Sequence, residues 1–97
     1  MIKKVNKNYN VTYSISDNKS EIAIFLIHGL GDSITSFDEQ IKYFENKYKC
    51  IYFDLPGSGE NNHIYLDFAN TLNLIEDIFY NENCNTNIIL EIGRAHV

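Results

Sequence analysis

Ninety-seven residues bound the chain to a single domain, and eight basic against thirteen acidic side chains leave a net charge of −5. No Lys/Arg cluster runs longer than Lys3-Lys4, so the balance argues against an electrostatic nucleic-acid binder. The longest apolar run, Ile22 to Ile27, is too short to span a bilayer, and Lys and Asn follow Met1-Ile2 where a signal peptide would be apolar. The expectation is therefore a cytoplasmic chain with no membrane partner. Cys50 and Cys84 lack CxxC spacing and read as two thiols in a reducing compartment, with no metal site.

Ile2 to Val5 reads as a short hairpin partner for the next segment. There Tyr9, Val11, Tyr13 and Ile15 alternate with Asn10, Thr12 and Ser14, the period of a half-exposed strand. Residues Ser16 to Ser20 form a polar turn. Ile22 to Ile27 is an apolar run bounded by His28-Gly29-Leu30-Gly31, as expected of the central strand of a parallel sheet. A helix is predicted from Ser36 to Tyr48. Ser36-Phe37-Asp38-Glu39 reads as a capping box, and Phe37, Ile41 and Phe44 as the apolar stripe. Cys50 to Phe53 is the next strand, running into Asp54-Leu55-Pro56-Gly57-Ser58-Gly59. A second helix is predicted from Tyr65 to Tyr80, with Leu66, Ala69, Leu72, Ile75 and Phe79 on its buried face. Ile88 to Leu90 opens a further buried strand. The order β–β–β–α–β–α–β predicts an α/β sheet with right-handed crossovers.

Two glycine loops placed directly after apolar strands carry the functional reading, because ligand chemistry in such sheets gathers where strands end. From about Tyr9 to Leu90 the arrangement resembles the α/β-hydrolase family. There an HG-type loop follows the third strand and an Asp-x-x-Gly-x-Gly loop the fourth, which His28–Gly31 and Asp54–Gly59 match. Asn61 departs from the Ser often found just after the second loop. The resemblance implies an α/β fold, the N-terminal part of a three-layer sandwich with a mostly parallel sheet and helices on both faces. It also implies a serine hydrolase that acts, when complete, on a small ester, lipid or other acyl substrate without a cofactor. Within it His28, Gly29, Leu30 and Gly31 form the oxyanion-hole loop, with the Leu30 N–H as a donor. Asp54, Gly57 and Gly59 form a structural loop.

In that family the strand at Ile88 would run into Gly-x-Ser-x-Gly. Here the chain continues Glu91-Ile92-Gly93-Arg94-Ala95-His96-Val97, so Ala95 stands where the nucleophile is due. This heptapeptide is one reading of GAG ATC GGA AGA GCA CAC GTC, nearly all of which matches a common sequencing adapter. Arg94 is also the sole arginine, against seven lysines. Residues 1–90 are accordingly expected to be the native N-terminal portion and 91–97 a foreign tail. The fragment itself should be inactive, with no catalytic nucleophile, acid or histidine.

On the residues alone, His28 reads as an imidazole that shapes the loop rather than as a base, and Asp54 as a loop brace rather than a triad acid. Ser33, Ser36 and Ser58 lack the strand–elbow–helix setting of a nucleophile. His63 and His96 have no evident partners. Two alternatives stand beside the hydrolase: a non-catalytic α/β binding module, and a dinucleotide-binding fold. Against the latter, Gly29-x-Gly31 lacks a third glycine, Ile34 standing in its place. Composition sets no oligomeric state.

Overall fold

The computed structural model describes residues 1–29, 31–82 and 86–92, with the backbone alone at 91 and 92. Strands β1 (Ile2–Asn6) and β2 (Val11–Ile15) are joined by four residues. That link is far too short for a crossover, so the pair is an antiparallel hairpin, with Ile2 opposite Ile15 and Asn6 opposite Val11. Asn10 closes the turn at φ 60°, its N–H donating to the Asn6 carbonyl at 2.7 Å. Asparagine tolerates that left-handed conformation better than most residues.

Strands β3 (Ile22–His28), β4 (Lys49–Tyr52) and β5 (Thr86–Ile92) complete one sheet in the order β1-β2-β4-β3-β5. β3 is parallel to both β4 and β5, whereas β2 is antiparallel to β4. This corrects the expected mostly parallel three-layer sandwich. The described residues form a small mixed sheet of five strands, with the two α-helices α1 (Asp38–Phe44) and α2 (Phe68–Asn81). The physical reason lies in the hairpin, which brings β2 to the sheet running against β4 and confines parallel pairing to β4-β3-β5.

The link from β2 to β3 passes the amino end of β4 and is fixed there. Ser16 N–H donates to the Cys50 carbonyl at 2.9 Å, and Cys50 N–H donates to Ser16 Oγ at 2.7 Å. Asn18 Nδ2 donates to the Glu45 carbonyl at 2.8 Å. The polar turn of the sequence thus ties the last turn of α1 to the sheet.

Alternation along β3 divides the core. Ala23 and Phe25 face Val11, Tyr13, Ile15, Ile51 and the α2 residues Leu74 and Ile78, while Ile24 and Leu26 face Cys50 and the α1 segment residues Phe37 and Ile41. Burying a side chain of this kind contributes roughly 1.5–3 kcal/mol.

Both helices begin later than expected. Ile34–Phe37 is a 3₁₀ turn, and Ser36 lies inside it with its hydroxyl donating to the Ser33 carbonyl at 3.0 Å. No capping box forms, and α1 starts at Asp38 without a side-chain cap. The Ile34 N–H is taken by Asp54 Oδ1 at 2.9 Å, which starts the turning chain ahead of Ser36. For α2 the cap is Asp67, whose carboxylate accepts the Asn70 N–H at 2.8 Å, so Tyr65 and Leu66 stay in the preceding loop. Its fully buried residues are Leu74 and Ile78, while Leu66, Ile75 and Phe79 of the expected stripe pack partly buried against the same core. Ala69 is exposed and Leu72 is 47% exposed.

At the far end of α2, Glu82 is buried. It accepts from the Tyr13 hydroxyl at 2.6 Å and from Lys4 Nζ at 2.9 Å, joining helix to hairpin.

Candidate functional site

The parallel strands β4, β3 and β5 end on the same edge of the sheet, and β3 and β5 end level with each other, His28 opposite Ile92. The loops after β3 and β4 therefore meet where the sequence places its two glycine motifs.

His28, the last residue of β3, is 2% exposed. Its Nε2 lies 2.8 Å from the Leu55 N–H, which can only donate, so Nε2 is the unprotonated acceptor. Nδ1, 2.8 Å from the Gly29 carbonyl, must then carry the proton and donate. Both ring nitrogens are spent on backbone, and the hydrogen-bond network assigns one tautomer. His28 thus ties its own loop to the loop after β4 and has no lone pair left for a substrate proton.

Asp54 does the complementary work from the other side. Its Oδ1 accepts the Ile34 N–H and its Oδ2 accepts the Glu60 N–H at 3.2 Å, so one carboxylate holds both loops. Asp54 Oδ1 lies 4.0 Å from His28 Nε2, but that nitrogen already accepts from Leu55, so the contact is neither an ion pair nor a triad hydrogen bond. Gly59 sits against this carboxylate at φ +46°. A Cβ there would lie 2.1 Å from Asp54 Oδ2, so glycine is required both by conformation and by space. Gly57, at φ +89°, requires glycine through conformation alone, since nothing lies within 4 Å of its Cβ position.

Asn61, which the sequence marks only as a departure from Ser, is the side chain whose role was not foreseen. It is fully buried and donates from Nδ2 to the carbonyls of Asp54 (2.7 Å) and Thr12 (3.0 Å), while its Oδ1 accepts the Thr12 N–H at 3.0 Å. The residue clips the loop after β4 to strand β2. No local signal announces the link to β2, because Thr12 lies 49 residues away in the chain.

Gly29 contributes its carbonyl, which accepts from His28 and from the Asp32 N–H at 3.1 Å. Gly31 turns the loop at φ 79°. Leu30, the expected oxyanion donor, lies outside the described residues, as do Cys84 and the positions from Gly93 to Val97, Ala95 and His96 among them. Ser33 Oγ pairs with Thr35 Oγ1 at 2.6 Å, Ser36 bonds the Ser33 carbonyl, and Ser58 precedes the short 3₁₀ turn Gly59–Asn61. His63 is exposed. Among the described residues no serine meets a histidine and an acid, and no group of three His, Cys, Asp or Glu could hold a metal ion. Among them, too, no helix is long and apolar enough to cross a membrane.

The arrangement is thus a braced pair of loops at a strand edge, in which His28 and Asp54 bond to backbone groups of both loops. No protein-family model matches the chain, and a search of curated proteins found no significant match.

Proposed function

We propose that this chain carries the donor-loop half of an α/β-fold hydrolase site, of the serine type, acting on an ester, lipid or other acyl substrate. The proposal rests on the site region and not on the whole sheet. The observation that carries it is the parallel pairing of β3 with β5 in level register. An oxyanion hole of this type needs two N–H donors, one from the loop after the third strand and one following the nucleophile. Adjacent parallel strands ending together bring those two chain segments side by side.

The bracing supports the same reading. A donor worth about 2.7–4 kcal/mol of barrier must be held where the oxyanion forms, with no reorganisation left for the reaction itself. Asp54 and His28 hold the loop from both sides through four hydrogen bonds to backbone. The described residues supply no nucleophile or base, so the 97-residue chain is expected to be inactive.

The test is an ester assay on two proteins, with p-nitrophenyl acetate as the probe. The chain as it stands should show no turnover above background. The product of the uninterrupted gene should show saturable hydrolysis, lost when the serine of a Gly-x-Ser-x-Gly turn after β5 is changed to alanine. Saturable hydrolysis by the 97-residue chain, or a gene with no such turn, overturns the proposal.

A further inference from the structure

We infer that His28 is a pH-sensitive latch: on gaining a proton its ring lets go of the Leu55 N–H and takes Asp54 instead. The loop after β4 is then released while the loop after β3 stays held. The inference is independent of the hydrolase reading, because it concerns only how the two loops are fastened together.

The latch follows from which ring nitrogen can change. Nδ1, 2.8 Å from the Gly29 carbonyl, carries a proton in the neutral and in the charged ring alike, so that bond survives. Nε2 is the nitrogen that gains the proton. It lies 2.8 Å from the Leu55 N–H, and protonation there sets two donors face to face. One of the two contacts is therefore lost, and it is the one that reaches across to the other loop.

An acceptor for the new N–H stands close by. Asp54 Oδ1 is 4.0 Å from Nε2, about 1 Å beyond the span of a charge-assisted N–H···O bond. It makes no bond to the neutral ring and serves the Ile34 N–H instead. His28 is 2% exposed and Asp54 7%, so the carboxylate, rather than water, is the partner within reach. Unpaired, a buried imidazolium would be costly, and that cost drives Asp54 towards the charged ring.

The other described groups on the surrounding elements leave this exchange undisturbed. Asp32, on the same loop as Gly29, spends Oδ1 on the Ser33 N–H at 2.9 Å. Glu60, in the turn after β4, is exposed and pairs with Lys3 at 2.7 Å. Asp38 and Glu39 at the start of α1 are exposed. On β4, burial pushes the Cys50 thiol up to about 11 and the Tyr52 phenol up to about 12, so both stay uncharged where a histidine titrates. The lysines of these elements stand elsewhere: Lys49 is level with Ala23 near the other end of β3, and Lys42 is in the last turn of α1. Histidine is the side chain whose charge ordinarily changes between about pH 5 and 8, which sets the range in which the latch works.

Nitrogen-15 NMR of the 97-residue chain from pH 8 to 5 tests this. The His28 ring should pass from the Nδ1–H tautomer to the doubly protonated form. The Leu55 amide should shift with the same midpoint and lose at least about tenfold of its hydrogen-exchange protection, corrected for intrinsic rates. The Asp32 amide, bonded to the Gly29 carbonyl, and the Phe25 amide in the middle of β3 should keep theirs. His28→Gln, whose amide donates and accepts without titrating, should keep Leu55 protected down to pH 5. If that variant does not fold, the comparison of Leu55 with Asp32 and Phe25 in the unaltered chain decides alone. A His28 ring that stays neutral to pH 5, or that charges without moving Leu55, overturns the latch. So does a loss of protection that Phe25 shares, which is unfolding, or a Leu55 titration that persists in His28→Gln.

Discussion

Asp54 and Gly59 show how one residue choice forces another. The carboxylate that joins the two loops occupies the volume a Cβ at position 59 would need, so the glycine answers to the aspartate as much as to its own φ. Asp54→Ala should cost roughly 2–4 kcal/mol in urea unfolding, since it strands two N–H groups that had charged acceptors. Gly59→Ala should also destabilise, and by less in the Asp54→Ala background, where only the backbone strain of about 1–2 kcal/mol remains. Additive losses would mean the contact is not the constraint. Cys50 gives a pH prediction. Burial, with a smaller contribution from the Glu45 carboxylate, pushes its thiol up to about 11 from the ordinary 9.0. Burial, then nearby negative charges led by Glu45, likewise pushes the Tyr52 phenol up to about 12. A raised acid keeps its proton longer in the folded state than in the unfolded one. Stability is therefore full below the unfolded value and falls as pH rises through the window between them. Urea midpoints should hold to about pH 9 and decline from there towards 11, with the first part of the decline reduced in Cys50→Ala.

Helix α2 is the element whose sequence and structure part company most usefully. It carries two apolar stripes, Leu74 with Ile78 and Phe68 through Phe79, and periodicity alone favours the longer one. The core fully buries only the shorter, Leu74 and Ile78, while Ile75 and Phe79 of the longer one pack partly buried against it, the Phe79 ring 4.9 Å from that of Phe25. Leu74→Ala or Ile78→Ala should cost about 2–5 kcal/mol in urea unfolding, against well under that for Leu72→Ala. The reverse ranking would mean the helix is turned on its axis. The strands were more legible than the helix starts. Apolar runs bounded by glycine placed β3 and β4 to within a residue or so, since burial on both faces leaves a continuous signature. The helix starts were set by partners the local sequence does not contain. Asp54, twenty positions on, begins the turn at Ile34 and leaves Ser36 without a capping role.

At the scale of the whole molecule, the alternating pattern and short loops were enough to find five strands and two α-helices, and not enough to set the sheet's character. A hairpin at one side makes the sheet mixed, and strand direction is not written in composition. The candidate site was legible as two glycine loops after two strands. Its bracing was not, because the His28–Leu55, Asp54–Ile34 and Asn61–Thr12 contacts each join segments 20 or more residues apart. Asn61→Ala should loosen the whole assembly by roughly 2–3 kcal/mol, read as a urea midpoint shift, since it removes two hydrogen bonds to Thr12 of β2 and one to the Asp54 carbonyl. The central claim is that acyl-transfer chemistry assembles where β3 and β5 end together. Labelling the product of the uninterrupted gene with a fluorophosphonate, then mapping the modified residue by mass spectrometry, tests it most directly. The account predicts a single modified serine in the turn immediately after β5, and no labelling of the 97-residue chain. Labelling at Ser33, Ser36 or Ser58, or no labelling of either protein, would contradict it.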